Sequence, residues 1–274
     1  MADDVDLFRT RDHVADFESY LAEYASRSER SRARHNAQLN LRYGEGPGEI
    51  LDLFFPAEMA SPCPVHLFIH GGYWRMFSKD DFSFVADTVV EAGGIAAIID
   101  YDLMPSVRME AVVAQVRRAA AWVVANAASF GGDPDRLTIS GHSAGAHLCC
   151  TLLEENATTQ PDCALLLSGI YDLAPLQTSF LQPLIGLTDA EVARFSSLAK
   201  TYSGGGQTVL LVGEHETAPF HAQANQMQRT LAAQGVRATL AAIPGKNHMS
   251  IVLDLGDGST EVGKLLSRVI KQQV

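Results

Sequence analysis

Cysteine is scarce in this chain of 274 residues: there are four, and none stands in C-x-x-C spacing. A zinc site and a redox dithiol therefore lack their ligands, and buried, inert thiols are the expected role. Positive charge is also short, with 21 lysines and arginines against 32 aspartates and glutamates and a formal net charge of −11. That balance repels phosphate backbones and anionic lipid, so neither nucleic acid nor a membrane is an expected partner. No apolar run approaches the ~20 residues that cross a bilayer. The opening MADDVDLFRT is acidic and lacks the apolar stretch of a secretory signal. Internal repeats and low-complexity tracts are missing too. A soluble, cytoplasmic protein is expected. What is present is ordinary for a folded unit, 47% hydrophobic and 19% charged residues. The length fits a single large α/β domain over 1–274.

At the start of the chain, Val14, Phe17, Leu21 and Tyr24 recur at helical spacing, which predicts a helix over 11–34 within an N-terminal arm, 1–35. Arg27, Arg30, Arg32 and Arg34 suit its solvated face. Two short strands, 39–43 and 50–55, flank the turn Gly44-Glu45-Gly46-Pro47-Gly48. Residues 56–64 read as a loop. A strand over 65–69 then runs into His70-Gly71-Gly72-Tyr73-Trp74. Further strands at 95–99, 137–139, 164–167, 208–212 and 238–243 alternate with helices at 80–92, 110–129, 146–153, 219–234 and 260–272. Asp133-Pro134-Asp135 reads as the turn before the strand at 137–139. This alternation predicts βαβ units and a mostly parallel sheet flanked by helices. It lapses between Tyr171 and Ser203, where Pro175, Pro183 and Gly186 intervene, so 172–203 reads as a short cap-like insertion with one helix over 189–200. Gly204-Gly205-Gly206 reads as a flexible loop.

The chemistry centres on Gly141-His142-Ser143-Ala144-Gly145, a G-x-S-x-G between a short apolar strand and an apolar helix. In that context the motif makes a sharp elbow with the serine exposed at its tip and a helix N-terminus aimed at it. A serine hydroxyl is a poor nucleophile and needs a base. His248, in the loop after the last strand, has the required position, since parallel sheets carry functional groups at their carboxyl ends. His142 lies inside the elbow, His147 on the following helix and His66 within a strand. His70 sits in the glycine loop, while His215 and His221 flank the acid segment. An acid must orient the base, and Gly213 is followed by Glu214 and Glu216. Glu216 has room to turn back over the strand ends, and Glu214 is the competing candidate.

A tetrahedral intermediate needs N–H donors aimed at its oxyanion. Ala144 supplies one, and the glycine loop at 70–74 supplies Gly72 and Tyr73, where the missing Cβ lets amides face a ligand. Trp74 and Phe77 follow and are candidates for an aromatic wall contacting substrate. Core packing explains Phe77 equally well. No metal or organic cofactor is implied.

HGGYW at 70–74, GHSAGAHL at 141–148 and GKNHM around His248 resemble the α/β-hydrolase superfamily, on its hormone-sensitive-lipase-like side. More narrowly they resemble its kynurenine formamidase branch, in which HGG is followed by an aromatic pair. DPDRLTISGHSAGAH and SGIYDLAPL are similar as well, and the likeness covers most of 36–274. The family's acid segment resembles H-D-S-P-E-F, against His215-Glu216-Thr217-Ala218-Pro219-Phe220 here. Glu216 takes the aspartate's position with one more methylene, and Met249 stands where the family has phenylalanine. The resemblance implies a single α/β-hydrolase domain and a serine hydrolase that cleaves an N-formyl or small-acyl arylamide. Ser143, His248 and Glu216 would form its catalytic triad. A carboxylesterase acting on small esters is the alternative, and a non-catalytic receptor on the same scaffold is a third. The expected partner is a small-molecule substrate, with homodimerisation left open.

Overall fold

The computed structural model describes residues 5–59, 62–203 and 206–274 and shows one eight-stranded sheet. Its strands are β1 (Asn36–Arg42), β2 (Ile50–Phe55), β3 (Cys63–Ile69), β4 (Ile95–Ile99), β5 (Gly132–His142), β6 (Cys163–Leu167), β7 (Gln207–Gly213) and β8 (Arg237–Ile243). Their order across the sheet is β1-β2-β4-β3-β5-β6-β7-β8. β2 runs antiparallel to both β1 and β4, and every pairing from β4 to β8 is parallel.

The central strands are covered on both faces, which is why they read as unbroken apolar runs. All seven residues of β3 are buried. Val65, Leu67 and Ile69 pack on one face with the helices Met109–Asn126 and Ala144–Leu153. Phe68 packs on the other with the helices Val85–Glu91 and Glu261–Ile270. The edge strands β1 and β8 are largely exposed. In mid-sheet, His66 is fully buried between Thr138 and Ser140 of β5, whose hydroxyls lie 2.8 and 2.7 Å from its ring nitrogens. Burial lowers its pKa to about 3, so the ring is neutral.

The arm differs from the single helix expected. It divides into a turn of helix, Thr10–His13, and the helix Phe17–Arg34, with Asp16 between them at φ 55°. That left-handed step turns the chain so that both Val14 and Tyr24 reach the core. The 80–92 helix splits into the 3₁₀ turn Lys79–Asp81 and the helix Val85–Glu91. The 189–200 helix ends at Phe195, where Ser196 is extended. Asp133, Pro134 and Asp135, expected as a turn, lie within β5. All four cysteines are buried and none is in a disulfide, and burial pushes the Cys150 thiol up to about 12. Gly204 and Gly205, two residues of the expected 56–64 loop and residues 1–4 lie outside the described residues. Among the described residues no helix is long and apolar enough to cross a membrane.

Candidate active site

The candidate site residues sit at the carboxyl ends of four parallel strands: Gly72 and Tyr73 after β3, Ser143 after β5, Glu216 after β7 and His248 after β8. At the elbow Ser143 has φ 57° and ψ −119°, a conformation costing roughly 1–3 kcal/mol that surrounding packing must hold. The flanking glycines make it possible, because a Cβ on Gly145 would lie 2.0 Å from the carbonyl oxygen of Ile69. Ser143 N donates to Leu167 O at 2.8 Å, tying the turn to β6.

Glu216 and His248 meet directly: the carboxylate Oε2 lies 2.7 Å from His248 Nδ1. The other oxygen, Oε1, accepts from the Ser168 hydroxyl and from Gly213 N, the latter at 2.6 Å. Glu216 gets there through a tight turn in which its own N–H donates to Gly213 O at 3.1 Å. Glu214 does not reach the histidine; its exposed carboxylate accepts from Gly245 N at 2.8 Å. Phe220, at the start of the helix Ala218–Ala233, packs against the His248 ring with centroids 4.5 Å apart.

After β3, Gly72 at φ 101° starts a turn in which Arg75 N and Met76 N both donate to its carbonyl. A Cβ there would stand 2.2 Å from Met76 O, so the turn requires glycine. Among the described residues, no acceptor takes the N–H of Tyr73 or of Ala144. Both amides are therefore available to a ligand. Ser143, His248, Gly72, Tyr73 and Phe77 line one cavity of about 30 Å³. A water needs roughly 10–15 Å³, so the cavity admits only a few heavy atoms.

Trp74 corrects the expectation of an aromatic surface for substrate. Its ring is fully buried in the core, with Nε1 donating to His147 Nδ1 at 3.2 Å. His147 Nε2 in turn donates to Phe195 O at 2.8 Å. The indole thus links the glycine loop to the 172–203 insertion through the elbow helix and is absent from the cavity wall. Phe77 does stand on that wall, at φ 71°.

Several residues at the site went unrecognised in the sequence. Ser168, at φ 52°, opens the SGIYDLAPL phrase, and that phrase was its only signal. Thr10, Phe17 and Tyr24 of the arm line the cavity; the apolar spacing of Phe17 and Tyr24 marked a buried face without saying against what. The chain also closes over the site from its start. Tyr73 Oη donates to Phe8 O, and Thr217 Oγ1 donates to Leu7 O at 2.6 Å.

A family model described as BD-FAE matches residues 51–166. Kynurenine formamidase of Salmo salar is 31% identical over 254 residues, spanning 89% of this chain and 85% of that protein. Its Danio rerio counterpart is 30% identical over 264 residues, spanning 92% and 88%. A hyperthermophilic esterase from the archaeon Pyrobaculum calidifontis shares the fold, with a TM-score of 0.79 at 17% identity over 94% of this chain and 92% of that one. With that extent of shared sequence laid over an α/β-hydrolase sheet, the chain is a hydrolase and belongs to the kynurenine formamidase family.

Proposed function

We propose that Ser143, His248 and Glu216 act as a triad that hydrolyses an N-formyl or other small-acyl arylamide through an acyl-enzyme. Ser143 Oγ attacks the acyl carbon while His248 Nε2 takes its proton. The oxyanion that forms lies against the free amides of Tyr73 and Ala144, with Gly72 beside them. The intermediate collapses, the C–N bond breaks, and His248 returns the proton to the leaving amine. Water, deprotonated by the same imidazole, then releases the acid and restores the serine. Glu216 holds the imidazole with its proton on Nδ1 and stabilises the cation that forms.

The observation that carries this reading is the Glu216 carboxylate, with Oε2 2.7 Å from His248 Nδ1 and Oε1 held by two donors. A buried acid gripped in this way orients an imidazole. The small cavity beside Ser143 supports a short acyl group, and the two fish relatives are named for a formamide substrate. In this reading the enzyme works in the cytoplasm, and 1–274 is one domain with an N-terminal arm and the 172–203 insertion.

Small esters would use the same groups, so kinetics must discriminate. The test is kcat/KM on N-formylkynurenine beside p-nitrophenyl acetate and butyrate. A formyl-amide value well below the ester values overturns the formamidase reading and leaves a carboxylesterase. Ser143→Ala should abolish turnover of all three, and a fluorophosphonate should label Ser143 in the wild type. Labelling at a different serine overturns the site.

A further inference from the structure

The loop that carries His248 is held at two consecutive carbonyls by side chains from two distant elements. His142 lies 2.9 Å through Nε2 from the carbonyl oxygen of His248. A carbonyl can only accept, so Nε2 bears the proton. The two rings sit 4.6 Å apart. Burial, and then the neighbouring His248 imidazole, hold the His142 pKa well below that of a free imidazole, in keeping with a neutral ring. On the next residue, the Tyr24 hydroxyl donates to Met249 O at 2.6 Å. Tyr24 is 1% exposed and is wedged among Phe82, Phe84 and Phe77 at centroid distances of 5.3, 5.7 and 6.5 Å. Its own helix supplies another contact, because Asn247 Nδ2 donates to Tyr20 Oη at 3.3 Å.

These contacts have a mechanical consequence. His142 precedes Ser143 by one residue, so the nucleophile and the main chain of His248 are fixed to the same turn. Tyr24 fixes the following carbonyl from the N-terminal helix. Both donors are buried, so removing either leaves a buried carbonyl short of its hydrogen-bond partner. We infer that Tyr24 and His142 are positioning residues that clamp the His248 loop, making the helix Phe17–Arg34 part of the catalytic apparatus. This rests on His248 being the base. A displacement of the reacting groups of the order of 1 Å can cost 10²-fold in rate. Loss of one of two clamps is expected to cost about ten-fold.

The experiment compares purified full-length Tyr24→Phe, His142→Phe, His142→Gln and His248→Ala with the wild type. Kinetics and thermal unfolding are measured, together with the downfield proton resonance of the His248–Glu216 pair. Tyr24→Phe removes one oxygen and keeps the packed ring. It should lower kcat about ten-fold with KM within two-fold, and shift or broaden that resonance. His142→Phe should do the same, and His142→Gln, which retains an N–H donor, should recover most of the loss. A Tyr24→Phe enzyme with wild-type kcat overturns the clamp, whether or not its Tm has fallen. So does one whose change is confined to KM, since Tyr24 would then be only cavity wall. His248→Ala separates the two levels. If it keeps turnover, the triad reading fails; if it is dead while Tyr24→Phe is unimpaired, the clamp alone fails.

Discussion

Glu216→Gln puts the acid's role to a sharp test, because its two oxygens face partners of different kinds. Oε1 accepts from the Ser168 hydroxyl and from Gly213 N at 2.6 Å, while Oε2 faces His248 Nδ1 at 2.7 Å. Glutamine offers one oxygen and one NH₂ in their place. The Gly213 N–H can only donate, so the amide oxygen belongs on that side and the NH₂ turns to Nδ1. His248 must then present a lone pair at Nδ1 and carry its proton on Nε2. In that tautomer it cannot accept the serine proton. The opposite amide orientation sets NH₂ against the Gly213 N–H, an unsatisfied buried pair costing about 1–3 kcal/mol. Even that route keeps the rate roughly ten-fold or more below wild type. Loss of a triad aspartate's charge in a serine protease costs about 10⁴ in kcat, or about 5.4 kcal/mol. A loss of several orders of magnitude is therefore expected, in kcat on both p-nitrophenyl acetate and N-formylkynurenine, with Tm little changed. Glu214→Gln, which alters an exposed carboxylate, should change activity only slightly. A Glu216→Gln enzyme within a few-fold of wild type refutes the reasoning, as does Glu214→Gln being the more damaging.

Trp74→Ala empties a fully buried site and should cost about 3–5 kcal/mol of stability. Activity per folded molecule should fall in equal proportion on an aryl amide and on ethyl acetate; a loss confined to the aryl amide would restore a substrate-stacking role. The buried histidines make stability pH-dependent. The pKa is lowered to about 3 for His66 and about 4 for His147, and also lies below the free value for His142. An unfolded histidine titrates near 6.5, so below that pH the unfolded chain binds more protons than the native one. Their contribution is complete above about pH 6.5 and is lost as pH falls toward the native values, at up to about 1.4 kcal/mol per pH unit for each ring. Tm should thus decline steadily from pH 6.5 to 4.5, and a flat profile over that range would contradict the neutral buried rings.

Much of the architecture was legible because it is written in short-range pattern. β4 occupies the expected residues 95–99, where five apolar residues in a row leave little choice but a strand covered on both faces. The G-x-S-x-G turn was equally readable, since only glycine tolerates the approach of Gly145 to Ile69 O. The arm was harder. Its helical spacing runs straight through Val14 to Tyr24, and nothing local announces that Asp16 adopts φ 55°. The break follows from packing, which draws Val14 and Tyr24 into one core cluster. Ser168 was invisible for a similar reason. A serine after an apolar strand is commonplace until a carboxylate from the neighbouring loop is seen beside its hydroxyl.

By itself the sequence determined the class of fold, the strand ends that carry functional groups and the short list of residues able to do the chemistry. These rest on periodicity, turn sterics and side-chain type, which act over a few residues at a time. The tertiary structure alone decided which of two glutamates reaches His248. It also decided that the Trp74 ring faces His147 and not the cavity. And it decided that a tyrosine on the N-terminal helix holds a carbonyl 225 residues away. Such contacts depend on which strands lie side by side and how helices stack on them, and no local rule of spacing carries that information.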